Sequence, residues 1–300
     1  MATILITGGS GLIGTHLTGA LKTEGHSVRW MSRKAGTRDG VQVYAWDPEL
    51  GTMDEAALEG VDHIVHLAGA GIADKRWSKT RVQELIGSRT KGPELLYSAC
   101  ERRGQWPKSF ISAAGIGYYG AMTSEHVYTE DDTPGSDTIA RISVAWEEAV
   151  DKWQHRTRLV KLRTSVVLAR NAGALKSLGR IARFGLAAPI GSGRQVMPWI
   201  HIDDLVSAYR LALNDDRLRG AYNVASSDQP DNRRFMRTLA EVLHRPFIIP
   251  SVPGFTLRLL VGDVADVLLN GSAVSGRKLE AAGFTAHHRE LREAMADLCS

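Results

Sequence analysis

The run Thr7-Gly8-Gly9-Ser10-Gly11-Leu12-Ile13-Gly14 follows the apolar segment Ile4-Leu5-Ile6, and it constrains the fold more than any other stretch. A strand that runs into glycines at Gly-x-x-Gly-x-x-Gly spacing, with a helix after it, opens a dinucleotide-binding βαβ unit. Each glycine has its own reason. Gly8 permits the tight turn, Gly11 lets the backbone approach a pyrophosphate, and Gly14 lets helix and strand pack closely. The amides around Ser10, Leu12 and Ile13 lie at the positive end of the helix dipole and face the same phosphates.

Beyond this turn, apolar strands alternate with amphipathic helices. Strands are expected at 4–6, 28–31, 41–45, 63–67, 109–113 and 158–167. Helices are expected at 14–24, 54–58, 79–102 and 142–153, with Pro93 a reason to expect a break in the third. Such alternation predicts an α/β fold, a Rossmann-type doubly wound parallel sheet covered on both faces. From about residue 170 the composition changes. Segment 171–200 carries Gly185, Pro189, Gly191, Gly193 and Pro198 and reads as loops and short elements. The expected organisation is a nucleotide-binding domain over 1–170 and a smaller C-terminal substrate lobe mainly over 171–300. Helix 202–213 and strand 221–225 return to the first domain.

Bulk properties narrow the partners. The 300 residues include 37 Lys and Arg against 33 Asp and Glu, a net charge of +4, with no basic block. That predicts mild attraction to anionic small molecules and argues against nucleic acid. No charged leader precedes an apolar stretch, and no run reaches the ~18 apolar residues of a membrane span. The expectation is therefore a cytoplasmic monomer or homodimer with a small-molecule substrate and no membrane partner. Cys100 and Cys299 have neither metal nor redox spacing, and no metal site is expected.

The end of the second strand selects the dinucleotide. An acid there holds a ribose 2′-hydroxyl, whereas an arginine accommodates a 2′-phosphate. This chain reads Ser32-Arg33-Lys34, with no acid until Asp39, which favours NADP. Asp47 ends the third strand within reach of an adenine amine, but its expected role is to start a turn before Pro48. The fourth strand ends in Leu67-Ala68-Gly69, small enough for a cofactor to pass over the strand ends.

These residues resemble the extended short-chain dehydrogenase/reductase superfamily, and more closely its atypical branch, the epimerase family proteins. The resemblance continues through Gly87-Ser88-Arg89, Gly117-Tyr118-Tyr119-Gly120, Trp146-Glu147, Leu162-Arg163-Thr164 and Gly191-Ser192-Gly193-Arg194-Gln195. It ends on the distinctive Pro198-Trp199-Ile200-His201-Ile202-Asp203-Asp204-Leu205. It implies a Rossmann-type domain, a C-terminal substrate lobe and NADP. It also implies that Glu84 and Arg89 lie beside the cofactor, the alternative for both being exposed helix charge. Arg89 stands where ordinary members carry an asparagine and suits a phosphate or a carboxamide. Val167 is expected at the nicotinamide end.

The superfamily's Tyr-x-x-x-Lys pair is absent, with Ile139 and Ser143 at its two positions. The remaining acid/base candidates are Tyr119 and, second, Tyr118, with Ser112 holding a carbonyl; the alternative is that both tyrosines merely wall the pocket. Arg194, Trp199 and His201 are candidates for the substrate side, although His201 also reads as a helix entry packed on the sheet. The leading expectation is an NADP(H)-dependent oxidoreductase or epimerase-like enzyme acting on a small carbonyl or hydroxyl compound. Its rival is a catalytically silent NADP(H)-binding regulatory protein.

Overall fold

Ile4, Leu5 and Ile6 expose no surface at all, as a strand covered on both faces requires. The computed structural model describes residues Met1–Ser300. Its first half contains β1 (Thr3–Thr7), α1 (Leu12–Thr23), β2 (Ser27–Ser32), β3 (Gly36–Arg38), β4 (Val41–Asp47), β5 (Thr52–Met53), β6 (His63–His66), α2 (Lys79–Arg103), β7 (Ser109–Gly115) and α3 (Thr138–Asp151). There follow β8 (Arg158–Thr164), β9 (Val166–Ala169), α4 (Gly173–Arg183), β10 (Trp199–His201), α5 (Ile202–Asn214) and β11 (Gly220–Val224). The chain closes with α6 (Asn232–Val242), α7 (Gly254–Val261), α8 (Val264–Leu269), α9 (Arg277–Ala281) and α10 (Leu291–Cys299).

The main sheet runs β11-β8-β7-β6-β1-β2-β4-β3, with β5 also on β4. It is parallel except at β3 and β5. The order reverses at β1, between β6 and β2, and open parallel sheets bind ligands beyond such a switch point. One apolar cluster joins α1 and α5 to one face of the sheet, and a second packs Trp153, Phe110 and Leu96 on the other. The parallel, two-faced architecture matches the sequence expectation, and β11 does pair with β8.

Three expectations need correction. The sixth strand is not continuous over 158–167. It breaks at Ser165, whose amide and hydroxyl both bond the Val224 carbonyl, and β9 leaves the sheet to pair with β10. Segment 171–200 is also more regular than its glycines imply, because α4 buries Leu175, Gly179 and Ala182 at helical spacing. Pro93, by contrast, lies inside an unbroken 25-residue α2.

Candidate active site

The glycine turn is dictated by close contacts. Gly8 has φ +70°, and a Cβ there would lie 2.9 Å from the Ala68 nitrogen. A Cβ on Gly14 would meet the Gly8 oxygen at 2.5 Å, and one on Gly9 would enter the Trp30 indole at 2.3 Å. Gly9 thus has as little room for a side chain as Gly8 and Gly14, and less than Gly11, whose Cβ would meet only the Gly8 oxygen at 3.2 Å. Helix α1 starts at Gly11 with no side-chain cap, which leaves its first-turn amides around Leu12, Ile13 and Gly14 for a ligand.

The floor beside this turn is knitted by Thr7. Its Oγ1 accepts the amides of Leu67 and Ala68, each at 3.2 Å, so its own proton goes to His66 Nδ1 at 2.7 Å. That assignment leaves the ring proton on Nε2. His66 is wholly buried, between Trp46 and Phe110. Burial and the nearby Arg89 charge push its pKa down to about 3. The ring also feels the Arg89 backbone. Proline at 93 has no N–H for the carbonyl four residues back, and that carbonyl belongs to Arg89. His66 Nε2 faces this gap without closing a full hydrogen bond.

The Arg89 side chain is buried on the same floor. Its guanidinium gives Nη2 to the Ala70 carbonyl at 2.8 Å and Nη1 to the Leu85 carbonyl at 3.0 Å, and it lies over the Trp146 ring at 4.8 Å. It has no carboxylate partner, and its Nε makes no hydrogen bond. Desolvation first, then the Arg81 charge, pushes its pKa down to about 10. A buried cation with no counter-ion and a free donor is suited to an anion or a carboxamide. Gly69 is the reason it fits, since a Cβ there would lie 3.3 Å from the Arg89 Cζ. Glu84 is about half exposed and pairs with Arg81 at 2.7 Å, so its partner in this structure is the helix's own arginine.

At the end of β2, Ser32 is half-buried while Arg33 and Lys34 are exposed. The first acid, Asp39, sits in the β3–β4 turn at φ +52°. Asp47 starts a turn, accepting the Glu49 and Leu50 amides.

Beyond β7 the chain forms a 3-10 turn at Ile116–Tyr119. Tyr119 is buried; its hydroxyl donates to Asn223 Oδ1 at 2.8 Å and accepts from Arg163 Nη1 at 2.9 Å. Burial outweighs the Arg163 charge and pushes its pKa up to about 12. Arg163 in turn holds Glu147 bidentately, at 2.7 and 3.0 Å, and Lys161 adds a third contact to Glu147 at 3.1 Å. Tyr118 lies outside this network, half-buried, with the Arg163 guanidinium 3.5 Å from its ring centroid. Ile139 and Ser143 pack on Gly117, whose added Cβ would meet them at 2.6 and 3.1 Å. Ser112 is buried and donates its hydroxyl to the Ala113 carbonyl at 2.8 Å.

Comparison with known proteins decides the family. The model of the NAD dependent epimerase/dehydratase family matches residues 4–225. The chain belongs to this family. A domain of unknown function, DUF1731, matches residues 252–298. The epimerase family protein ML0860 of Mycobacterium leprae is 35% identical over 297 residues, covering 98% of this chain and 95% of its own. The epimerase family protein SDR39U1 of Homo sapiens is 34% identical over 304 residues, at 98% and 99% coverage. The crystal structure of human SDR39U1 with NADPH superposes at a TM-score of 0.88, covering 99% of this chain and 98% of that one. MoeE5 in complex with UDP-glucuronic acid and NAD, at 23% identity and a TM-score of 0.79, shares the fold.

The other expected side chains have defined surroundings. Tyr119 has both hydroxyl functions engaged and a raised pKa, which suits a structural post better than a proton donor. Trp199 is fully buried in the lobe core and gives its indole N–H to the Asp228 carbonyl at 2.6 Å. His201 is buried and caps α5, its Nδ1 accepting the Asp203 amide at 3.2 Å. Desolvation and His288 push its pKa down. Potential ligand atoms of His201, Asp203 and His288 lie within 4.8 Å of one another. The two imidazoles stack at 3.7 Å, so their lone pairs do not converge on one ion. Arg194 is exposed in the Gly191–Gly193 loop, and Val167 is half-buried on β9 beside Ile200. The residues that the sequence reading missed are Gly9, Thr7 and His66 as a bonded floor, and the set of Glu147, Arg163 and Asn223. Trp146-Glu147 and Leu162-Arg163 carry the resemblance, but nothing in their spacing shows that they meet.

Proposed function

We propose that the protein is an NADP(H)-dependent oxidoreductase or epimerase-like enzyme acting on a small carbonyl or hydroxyl compound. The observation that carries this reading is the end of β2. Two exposed cations, Arg33 and Lys34, enter no ion pair and stand where an NAD-binding strand would place an acid. The NADPH in the human SDR39U1 structure supports the same choice. The chain's own residues fit the cofactor: the glycine turn and the uncapped α1 for the pyrophosphate, and Ser32 and Arg33 for the 2′-phosphate. Leu67, Ala68 and Gly69 would form the floor, the Arg89 guanidinium and Val167 would serve the nicotinamide end, and Glu84 would lie at the rim. NADP supplies hydride transfer when bound.

Tyr118 is the side chain left for proton transfer, because Tyr119 is committed to Asn223 and Arg163. The Arg163 guanidinium lies 3.5 Å from the centre of the Tyr118 ring and holds that ring in place beside the buried network. Arg194, exposed on a loop of the lobe, suits an anionic group on the substrate. The fluorescence of bound NADPH tests the cofactor. Arg33→Ala is expected to weaken NADPH about tenfold or more and NADH little; equal weakening overturns the assignment. A screen of carbonyl compounds is expected to find turnover lost in Tyr118→Phe and retained in Tyr119→Phe. Turnover insensitive to both refutes the tyrosine. Tight NADPH binding with no turnover supports the alternative, a catalytically silent NADP(H)-binding regulatory protein.

A further inference from the structure

Nine of the thirteen exposed large apolar side chains lie between residues 181 and 268, in the lobe rather than on the sheet domain. Three of them gather at one place. Helices α4 and α6 end side by side, with Gly185 just past α4 placing an added Cβ 3.9 Å from the Pro246 ring. Phe184 is 77% exposed, Leu186 56% and Ile248 80%, and they bracket that contact. Large apolar side chains this exposed beside one contact mark interaction sites on soluble proteins.

The same end carries cations without partners. Arg180, Arg183 and Arg245 are exposed and enter no ion pair. Arg237 rests its guanidinium over Phe247 at 5.6 Å. Arginines in the last turn of α4 complement the helix dipole, which accounts for their sign but not for the protruding Phe184, Leu186 and Ile248. A symmetric dimer through this patch would bring the arginines of one copy against those of the other, so a second copy is a poor occupant. Apolar tips surrounded by unpaired cations are complementary to a surface that is anionic outside and apolar beneath.

We propose that the α4–α6 end of the lobe docks on an anionic lipid surface, inserting Phe184, Leu186 and Ile248 among headgroups paired with Arg180, Arg183 and Arg245. This is peripheral binding: no helix is long and apolar enough to cross a membrane. It departs from the expectation of no membrane partner, which rests on the absence of a spanning run.

Co-sedimentation of the full chain tests it, with vesicles of phosphatidylglycerol in phosphatidylcholine and of phosphatidylcholine alone. The wild type is expected to bind the anionic vesicles, to bind the neutral ones at least tenfold less, and to be released by salt. Phe184→Ser with Ile248→Ser is expected to lower binding about tenfold, as is Arg183→Glu with Arg245→Glu. NADPH affinity, read separately, reports that both variants remain folded. No binding of the wild type to anionic vesicles overturns the proposal. So does binding that neither variant changes, and so does a concentration-dependent dimer that Phe184→Ser abolishes.

Discussion

The glycine turn and the tyrosine wall face the same crevice and are built on opposite principles. The turn works by absence: Gly8, Gly9 and Gly14 leave room where any Cβ would strike backbone or indole. The wall works by occupation: Glu147, Arg163, Tyr119 and Asn223 satisfy one another in a buried chain of charged and polar bonds. A local pattern of small residues suffices for the first. The second needs residues from four elements, α3, β8, the turn after β7 and β11, to arrive together. In consequence, the cofactor side tolerates almost no added atom, whereas the wall depends on every partner being kept.

That contrast is broken most forcefully at Glu147. Removing it leaves the buried Arg163 without its carboxylate, while Lys161 keeps Asp151 at 2.8 Å, and breaking a buried ion pair on one side costs about 3–5 kcal/mol. Glu147→Ala is expected to lose that much in urea denaturation while the folded fraction still binds NADPH. A loss below about 1 kcal/mol would mean that the wall is not held by its charges. On the other side, Gly14→Ala places a Cβ against backbone at 2.5 and 2.6 Å. Overpacking of this kind costs about 1–3 kcal/mol, and here it is expected to reduce NADPH affinity as well. Normal NADPH binding in a folded Gly14→Ala would show that helix α1 can slide away from the turn.

How much was legible follows the same division. The opening turn, the cationic end of β2 and the parallel sheet rest on neighbours in sequence, so spacing and strand order suffice to find them. What escaped involves side chains meeting across the fold. Trp199 sits in a run that resembles a substrate-facing loop, yet the lobe closes over it. Helix α4 hid behind Gly173, Gly179 and Gly185, although Leu175, Leu178 and Ala182 keep a helical period. Pro93 in an unbroken helix becomes intelligible only when the Arg89 carbonyl is seen beside the His66 ring.

His66 makes the floor sensitive to pH in a way the glycines are not. Its pKa is about 3 in the fold against 6.5 for a free imidazole. Below pH 6.5 the unfolded chain takes up a proton that the folded chain refuses. Its contribution is therefore complete above pH 6.5 and lost as pH falls toward 3, by about 1.4 kcal/mol per pH unit. His63 and His201, also pushed down by burial, add slope in the same direction. Denaturation midpoints at pH 7, 6 and 5 are expected to fall less steeply in His66→Gln than in the wild type. Identical slopes would remove His66 from the account.

The smallest expected effect separates the two tyrosines. Tyr119→Phe deletes a donor to Asn223 and an acceptor for Arg163, both in a dry environment, and is expected to cost about 1 kcal/mol. Because the wall does not touch the glycine turn, NADPH affinity is expected to stay within about twofold, a change under the energy of one ordinary hydrogen bond. Tyr118→Phe removes a hydroxyl outside the buried network and is expected to leave the denaturation midpoint unchanged. Measured together, the pair gives a crossed result: stability falls in one variant and turnover in the other. If both properties fall in the same variant, the buried hydroxyl reaches the reacting atoms, and the division between a post that holds the wall and a tyrosine that faces the crevice is wrong.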